Sequence, residues 1–409
     1  IVARKFDPLK LRRDTKIDSM KSTYCAVSIR YHEDGDLKEP QPLVLTENGE
    51  SFFYPDKKHG SSLELPSGSV RLACPGNDNY IQVVPDRKEA VATCISDTIF
   101  SVNRIPRTFS SLTCRTNLQV TVRSLQKLCL NQYRSMEIGF QLNDRFLQTI
   151  ELCRNDNTYE TYYTKFKMSN KHGNVQTGYP RPRNWRDANY FAGLNMERLY
   201  NWRVQIEIIG RILQSEEIAK KYINQGQFLS RGHISAKSDF IYGSQQNATF
   251  SYLNAAPQWA SFNGGNWMYL EVGVQNFTRQ SSRDIEVYTG VHGQMTMADK
   301  NGQQQTIQLA EPGTEKTLTV PKFFWKVIYD PVSKKGTAFV GLNDPFIPSI
   351  SESIYLCKDR IESKMEWINW MPTNIKKGVS YVCPIDSLRR KIPTIPPLNV
   401  IGVLISPPI

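Results

Sequence analysis

No run in this chain approaches the roughly 20 consecutive apolar residues that a membrane-spanning helix needs. The most apolar late stretch, Val400 to Ile405, is far too short, so no membrane partner of that kind is expected. No Cys-x-x-C pair occurs among the 8 cysteines, which sets a zinc ribbon aside. No internal repeat is visible. The chain opens on Ile1 with no hydrophobic signal segment, so a processed mature form is expected. Histidine is scarce, 5 in 409 residues. His32 and His59 stand apart from any cysteine or carboxylate pattern and read as surface residues; His292, beside Gly293 after a strand, reads as structural.

What is present is positive charge and material for a core. The net charge is +12 and the pI near 9.2, which favours an anionic partner; charge alone leaves nucleic acid, heparin-like polymers and a membrane surface open. The length allows two domains or one elaborated one. An even cysteine count fits four disulfides in an oxidising compartment. Six cysteines precede residue 160 and two follow residue 350, with none between. That partition predicts three bridges in the N-terminal region and one joining Cys357 to Cys383. Two sequons, Asn247-Ala248-Thr249 and Asn276-Phe277-Thr278, are compatible with a secreted glycoprotein.

Three segments follow from the patterning. Residues 1–22 are basic, with Arg4, Lys5, Lys10, Arg12 and Arg13, and read as a solvated arm, with a nucleic-acid arm as the sharper reading. Residues 23–157 carry short alternating runs broken by Gly, Pro and Asn: Ser51–Tyr54, Ser69–Leu72, Tyr80–Val84 and Leu118–Val122. With the cysteines, they predict a disulfide-stapled β-rich module without a catalytic constellation. Residues 158–409 begin with a strand over Tyr159–Met168 and a helical pattern over Asn195–Tyr222, whose apolar face includes Trp202, Ile206, Ile209 and Leu213. Buried strands are predicted at 285–291, 323–329 and 336–341, forming a central antiparallel sheet. Bases and aromatics interleave between Lys165 and Lys237, as suits a nucleic-acid groove.

Chemistry concentrates between Ser230 and Glu271. His233 has the side chain best suited to general-base work near neutral pH. Arg231 offers a planar fork for phosphate oxygens. Asn263 offers an amide oxygen to a hard cation that keeps most of its waters. The segment is expected to turn helical after Ala260 and run to about Gln275, although Gly264 and Gly265 weaken its start. On a helix Asn263, Trp267 and Glu271 fall at i, i+4 and i+8, one face, which could orient the amide, wall it with an indole and hold a water on the metal.

Taken together, Arg231-Gly232-His233, then Asn254, Pro257 and Gln258, then Asn263, Trp267 and Glu271 resemble the DNA/RNA non-specific endonucleases, the ββα-metal nucleases, with the whole spacing kept. Ser230 departs from the Asp common there, which puts fine-tuning in doubt more than activity. Arg183-Asn184-Trp185 resembles an element that supplies a further arginine to the phosphate, a role open to Arg181 and Arg186 as well. The resemblance covers roughly Thr158 to Ile405, and the cysteine pattern is most similar to a secreted arthropod branch of double-stranded RNA and duplex DNA nucleases.

The resemblance implies an α+β fold: a ββα-metal nuclease domain around an antiparallel sheet, preceded by the β-rich module. It implies a secreted Mg2+-dependent endonuclease (Mn2+ in its place) that cleaves DNA and RNA, double-stranded substrates included, and leaves 5′-phosphates. His233 is the implied base, Asn263 the metal ligand, Arg231 and Arg183 the phosphate clamp, and Glu271 the holder of a water on the metal. Arg181, Arg186, Lys237 and Asn254 are expected to bind substrate. The alternative is a nucleic-acid-binding protein with little or no turnover, as in similar salivary proteins of blood-feeding flies. A third class, an adhesion protein for polyanions, leaves the motif unexplained.

Overall fold

The computed structural model describes residues 24–31, 34–66 and 68–409. The basic segment 1–22, His32 and the side chain of His59 lie outside the described part.

Its frame is a long antiparallel sheet. In spatial order the strands are Ser380–Cys383, Lys335–Leu342, Pro321–Asp330, Ile285–Gln294, Glu160–Met168, Phe146–Asn155, Tyr133–Gln141 and Thr121–Cys129. Gly402–Val403 adds in parallel beside Lys335–Leu342. The three late strands lie where the apolar runs predicted them. Their side chains alternate between two faces, and both faces are covered. Phe324 and Ile328 enter one core with Phe262, Trp267, Leu270 and Phe277. Trp325, Val327 and Tyr329 enter another with Tyr381, Ile385 and Leu388. Two-sided burial explains why these runs read as continuously apolar.

The expected domain boundary at 157/158 does not match this sheet. Phe146–Asn155 pairs with Glu160–Met168 across it, with Glu151 opposite Lys165 and Asn155 opposite Glu160. The strands from Thr121 onward therefore belong with the later ones. Punctuated alternation looks the same on the edge of a large sheet as in a small module, and the sequence carries no break at that point.

The first part of the chain has its own core. A five-stranded sheet runs Leu43–Leu45, Ser69–Ala73, Glu89–Ser96, Ile99–Val102, Ile105–Thr108. Val70, Leu72, Phe100 and Phe109 pack inside it. Disulfides Cys25–Cys94 and Cys74–Cys114 close it, and Cys129–Cys153 spans two strands of the long sheet. Cys357–Cys383 ties a loop to the edge strand. All 8 cysteines are bridged, with the predicted partition. Two expected strands are absent: Phe52 and Ile81 make only isolated bridges. The 51–54 segment instead docks on the later chain. Tyr54 stacks on Tyr242 at 5.8 Å, and the Tyr242 hydroxyl donates to the Phe53 carbonyl.

The predicted helix over 195–222 is three helices, Met196–Leu199, Trp202–Ile212 and Glu216–Tyr222. Asn195, Asn201 and Ser215 each accept a backbone N–H at the start of one of them. These side-chain caps break what apolar periodicity alone reads as continuous.

Candidate active site

Two strands and a helix build the site. Leu229–His233 pairs antiparallel with Ala255–Trp259, placing Ser230 opposite Gln258 and His233 opposite Ala255. The chain then turns into the helix Met268–Gln280. Gly232 is needed for close approach: a β-carbon there would sit 2.3 Å from the Gln258 Oε1.

The helix does not begin as the spacing suggests. Ala260–Phe262 is a single turn, and Asn263–Trp267 is a wide π turn with non-helical φ/ψ at Gly265. A β-carbon on Gly265 would lie 2.6 Å from the Lys377 carbonyl. Asn266 fixes the break by donating to the carbonyls of Met371 and Gly378, each at 2.7 Å. The expected single stripe is therefore corrected. Trp267 is buried against Phe262 and Phe324 at 5.6 Å, as core and not as a wall of the site. Asn263 and Glu271 still face one cleft, because the π turn rotates the residues on its two sides relative to each other. The helix also runs past Gln275, to Gln280.

That cleft, of about 480 Å³, is lined by Arg181, Trp185, Ser230, Arg231, His233, Lys237, Asn263 and Glu271, among others. His233 lies between the Trp185 ring at 4.6 Å and the Phe250 ring at 4.9 Å. Its Nε2 is 3.2 Å from the Thr249 hydroxyl oxygen. That hydroxyl has a single proton and donates it to the Gln246 carbonyl at 2.7 Å. Nε2 must then carry the imidazole proton and donate, which leaves Nδ1 bare. Burial, and then the charges of Arg181 and Lys237, push the His233 pKa down to about 3. The free protein thus keeps a neutral imidazole at neutral pH.

The sign of the pH effect follows. The folded pKa lies below the ordinary 6.5, so the unfolded chain takes the proton first as pH falls. This group's share of stability is present above 6.5 and is lost as pH falls toward 3. Lys237→Met removes one of the two cations and should move the His233 titration upward. Imidazole NMR should show no His233 titration between about pH 7 and 5 in the wild type and an onset at higher pH in the variant. Coincident curves would refute the assignment.

Arg231 is held by aromatics. Its Nε donates to the Tyr252 hydroxyl at 3.3 Å, and its guanidinium lies 5.3 Å from the Tyr200 ring. Asn263 donates through Nδ2 to the Ser230 hydroxyl at 3.1 Å, and Ser230 donates to the Gln258 carbonyl at 2.8 Å. With its NH2 side anchored, the Asn263 amide turns its oxygen away from Ser230. Ser230, the departure from the family pattern, thus sets the orientation of the amide.

Glu271 sits above a buried polar row in the sheet. Thr164 pairs with Thr289, and Thr289 with Lys326, all on the inner face. Lys326 is 1% exposed and donates to the Thr289 hydroxyl at 2.6 Å. Burial raises the Glu271 carboxyl well above the usual carboxylate range; Lys326 opposes the shift and Asp239 adds to it. An amide oxygen and a nearby carboxylate are hard oxygen donors, so the residues fit a magnesium-like cation.

Three predicted site residues lie elsewhere. Arg183 is exposed and does not line the cleft; Trp185 of the same element is the residue that touches His233. Arg186 donates to the Asn247 carbonyl and side chain at 2.9 and 3.1 Å, so it braces a loop. Asn254 is fully buried, and its amide is spent on Ser235 N–H and on the carbonyls of Ser235 and Thr249. It holds the loop that delivers Thr249 to His233. The spacing of polar residues does not reveal whether an amide faces solvent or its own backbone. Thr249 and Lys326 escaped the sequence reading, and Trp185 was read only as part of the arginine-bearing element, not as a neighbour of His233. The one available signal was a lysine inside a strand read as buried, which needs a buried polar partner.

Paired strands leading into a helix, with a bare histidine nitrogen, an oriented amide and clustered cations in one cleft, have the chemistry that phosphodiester cleavage requires. The model of the DNA/RNA non-specific endonuclease family matches residues 131–388, more than half of the chain. The chain belongs to this family and is a nuclease with nucleic-acid substrates. It is 25% identical over 344 residues to a salivary endonuclease of Lutzomyia longipalpis, covering 83% of this chain and 76% of that one. It is 24% identical over 384 residues to the salivary protein Tsal2A of Glossina morsitans morsitans, covering 93% and 94%. A salivary endonuclease of Culex quinquefasciatus is 28% identical over 171 residues, covering 41% and 44%. No helix among the described residues is long and apolar enough to cross a membrane.

Proposed function

We propose that this protein is a secreted, magnesium-dependent, sugar-non-specific endonuclease that cleaves DNA and RNA, duplexes included, and leaves 5′-phosphates. The observation that carries this reading is the bare Nδ1 of His233 in the same cleft as the oriented Asn263 amide and the Arg181, Arg231 and Lys237 cations. Four disulfides and the salivary relatives support secretion.

Arg231, with Arg181 and Lys237, holds the scissile phosphate. His233 Nδ1 takes a proton from a water, and the resulting hydroxide attacks phosphorus in line with the leaving 3′ oxygen. The Asn263 oxygen, with Glu271 ordering a water beside it, would hold magnesium (or manganese), which when bound neutralises phosphate charge and eases departure of the 3′ oxygen. The P–O3′ bond breaks, the 3′ oxygen takes a proton from the water that Glu271 would order, and the phosphate stays on the 5′ end of the downstream product. Nothing in the attack uses a 2′-OH, which is why both sugars are substrates. Binding to phosphates by arginine and lysine makes affinity fall steeply with salt.

The test is a digestion panel of single- and double-stranded DNA and RNA with magnesium, against an EDTA control. Metal-dependent endonucleolytic cleavage of both sugars, with 5′-phosphate ends, is expected. Tight binding with feeble, metal-insensitive cleavage would move the reading to a nucleic-acid-sequestering protein.

A further inference from the structure

A second cavity, of about 320 Å³, adjoins the cleft, and Arg181 and Pro182 line both. Its walls come from two parts of the chain. Tyr31, Glu39 and Gln41 belong to the N-terminal part, and Tyr179, Arg181 and Asn247 to the catalytic part. We propose that this cavity is a subsite for one unpaired nucleobase next to the scissile phosphate, selective for guanine. The proposal rests on the nuclease reading for its place in the reaction, but not for the binding itself.

The wall chemistry suits a base. Tyr31 and Tyr179 meet edge to face at 5.0 Å, giving aromatic surface for stacking. The Tyr179 ring is fixed in place: a β-carbon on Gly243 would fall 2.0 Å from it, and Lys237 donates to its backbone carbonyl at 2.6 Å. That lysine also faces His233, so the same group links base site and cleavage site. A base extruded or unpaired beside the cleaved bond can enter such a pocket and be read on its Watson–Crick edge.

Glu39 supplies the selectivity. Its carboxylate accepts the Gln41 N–H at 3.3 Å and the Tyr179 hydroxyl. Two of about four lone-pair positions remain for a ligand. Glu39 as a residue is exposed, yet partial desolvation of its carboxyl raises its pKa, so the group gains from further donors. Guanine alone presents two adjacent donors, N1–H and the 2-amino group, to one carboxylate. Adenine and cytosine offer an amino group beside a ring acceptor, and uracil or thymine a single N–H between two carbonyls that repel the charge. The cation of Arg181 lies on the side shared with the cleft, where the nucleotide's phosphate belongs.

The test is equilibrium titration of the full chain, without divalent metal, with guanosine 5′-monophosphate, uridine 5′-monophosphate and inorganic phosphate. Guanosine monophosphate should bind about 10-fold or more tighter than uridine monophosphate, the range of one good bidentate base contact. Glu39→Gln should bring the two together, and Tyr31→Ala should weaken both nucleotides relative to phosphate. Equal binding of the three ligands by the wild type, or discrimination that survives Glu39→Gln, would overturn the subsite. If Glu39→Gln does not fold, Tyr31→Ala decides, and equal loss for nucleotides and phosphate refutes the proposal. Selective nucleotide binding without metal-dependent cleavage would instead defeat the nuclease reading and keep the subsite.

Discussion

His233→Ala should lower kcat by about 10²–10⁴-fold, the usual contribution of general acid–base help, while nucleic-acid affinity stays within a few-fold. In the proposed mechanism the neutral imidazole would act on the attacking water, and Arg181, Arg231 and Lys237, which line the same cleft, would grip the polymer. The measurement is single-turnover cleavage with magnesium, paired with binding under EDTA. The ring also fills space between Trp185 and Phe250, so alanine leaves a gap there. His233→Gln keeps more of the volume and a hydrogen-bonding group for Thr249, yet has no comparable basicity. Both variants should be equally inactive if the loss is chemical. Recovery of activity in His233→Gln would assign His233 to packing. Wild-type activity no higher than that of His233→Ala would leave a binder.

Most of the candidate residues that the sequence singled out meet in one cleft because they sit close in sequence on regular elements. Arg231 and His233 share a strand, and the apolar runs at 323–329 and 336–341 read as the buried strands they form. The cysteine partition was enough to isolate Cys357–Cys383, since no other cysteine lies near either one. What escaped depends on the direction of a side chain, which spacing does not encode. Asn254 and Asn263 are both amides in the motif, but one is buried on its own loop and the other faces the cleft. Arg181 lines the cleft while Arg186, five residues on, braces Asn247. The stripe from Asn263 to Glu271 failed at Gly265, where backbone contact with Lys377 opens the helix. The boundary at 157 failed because a β-ladder is a long-range contact, and local alternation cannot report which sheet a strand joins.

The buried row beneath Glu271 connects fold to chemistry. A lysine fully enclosed in a sheet is costly unless polar and charged groups meet it. Lys326 has the Thr289 hydroxyl and the field of Glu271. Its charge opposes the rise that burial causes in Glu271 but does not cancel it: the Glu271 pKa still stands at about 8, so the carboxyl is mostly protonated in the free protein at neutral pH and would ionise against a bound cation. Lys326 therefore interrupts the apolar sheet face beside Glu271.

Asn263→Ala should be at least as damaging as the histidine change, because it removes the one amide oxygen that the site offers to a cation. Activity should fall by 10²-fold or more, on the order of a lost electrostatic stabiliser, and raising magnesium should not restore it. Ser230→Ala tests the same anchor from behind. The Asn263 oxygen survives, but its Nδ2 loses the 3.1 Å bond that sets its orientation. Removing a group that orients a metal ligand typically costs about 10–100-fold in metal affinity. Ser230→Ala should therefore need more magnesium for half-maximal activity yet approach the wild-type rate at saturation. The two titration curves separate a ligand from its support: a lowered plateau for Asn263→Ala, a shifted midpoint for Ser230→Ala. An unshifted midpoint in Ser230→Ala would mean that the amide needs no such anchor. A full plateau in Asn263→Ala would mean that the cation is held by Glu271 and its neighbours instead.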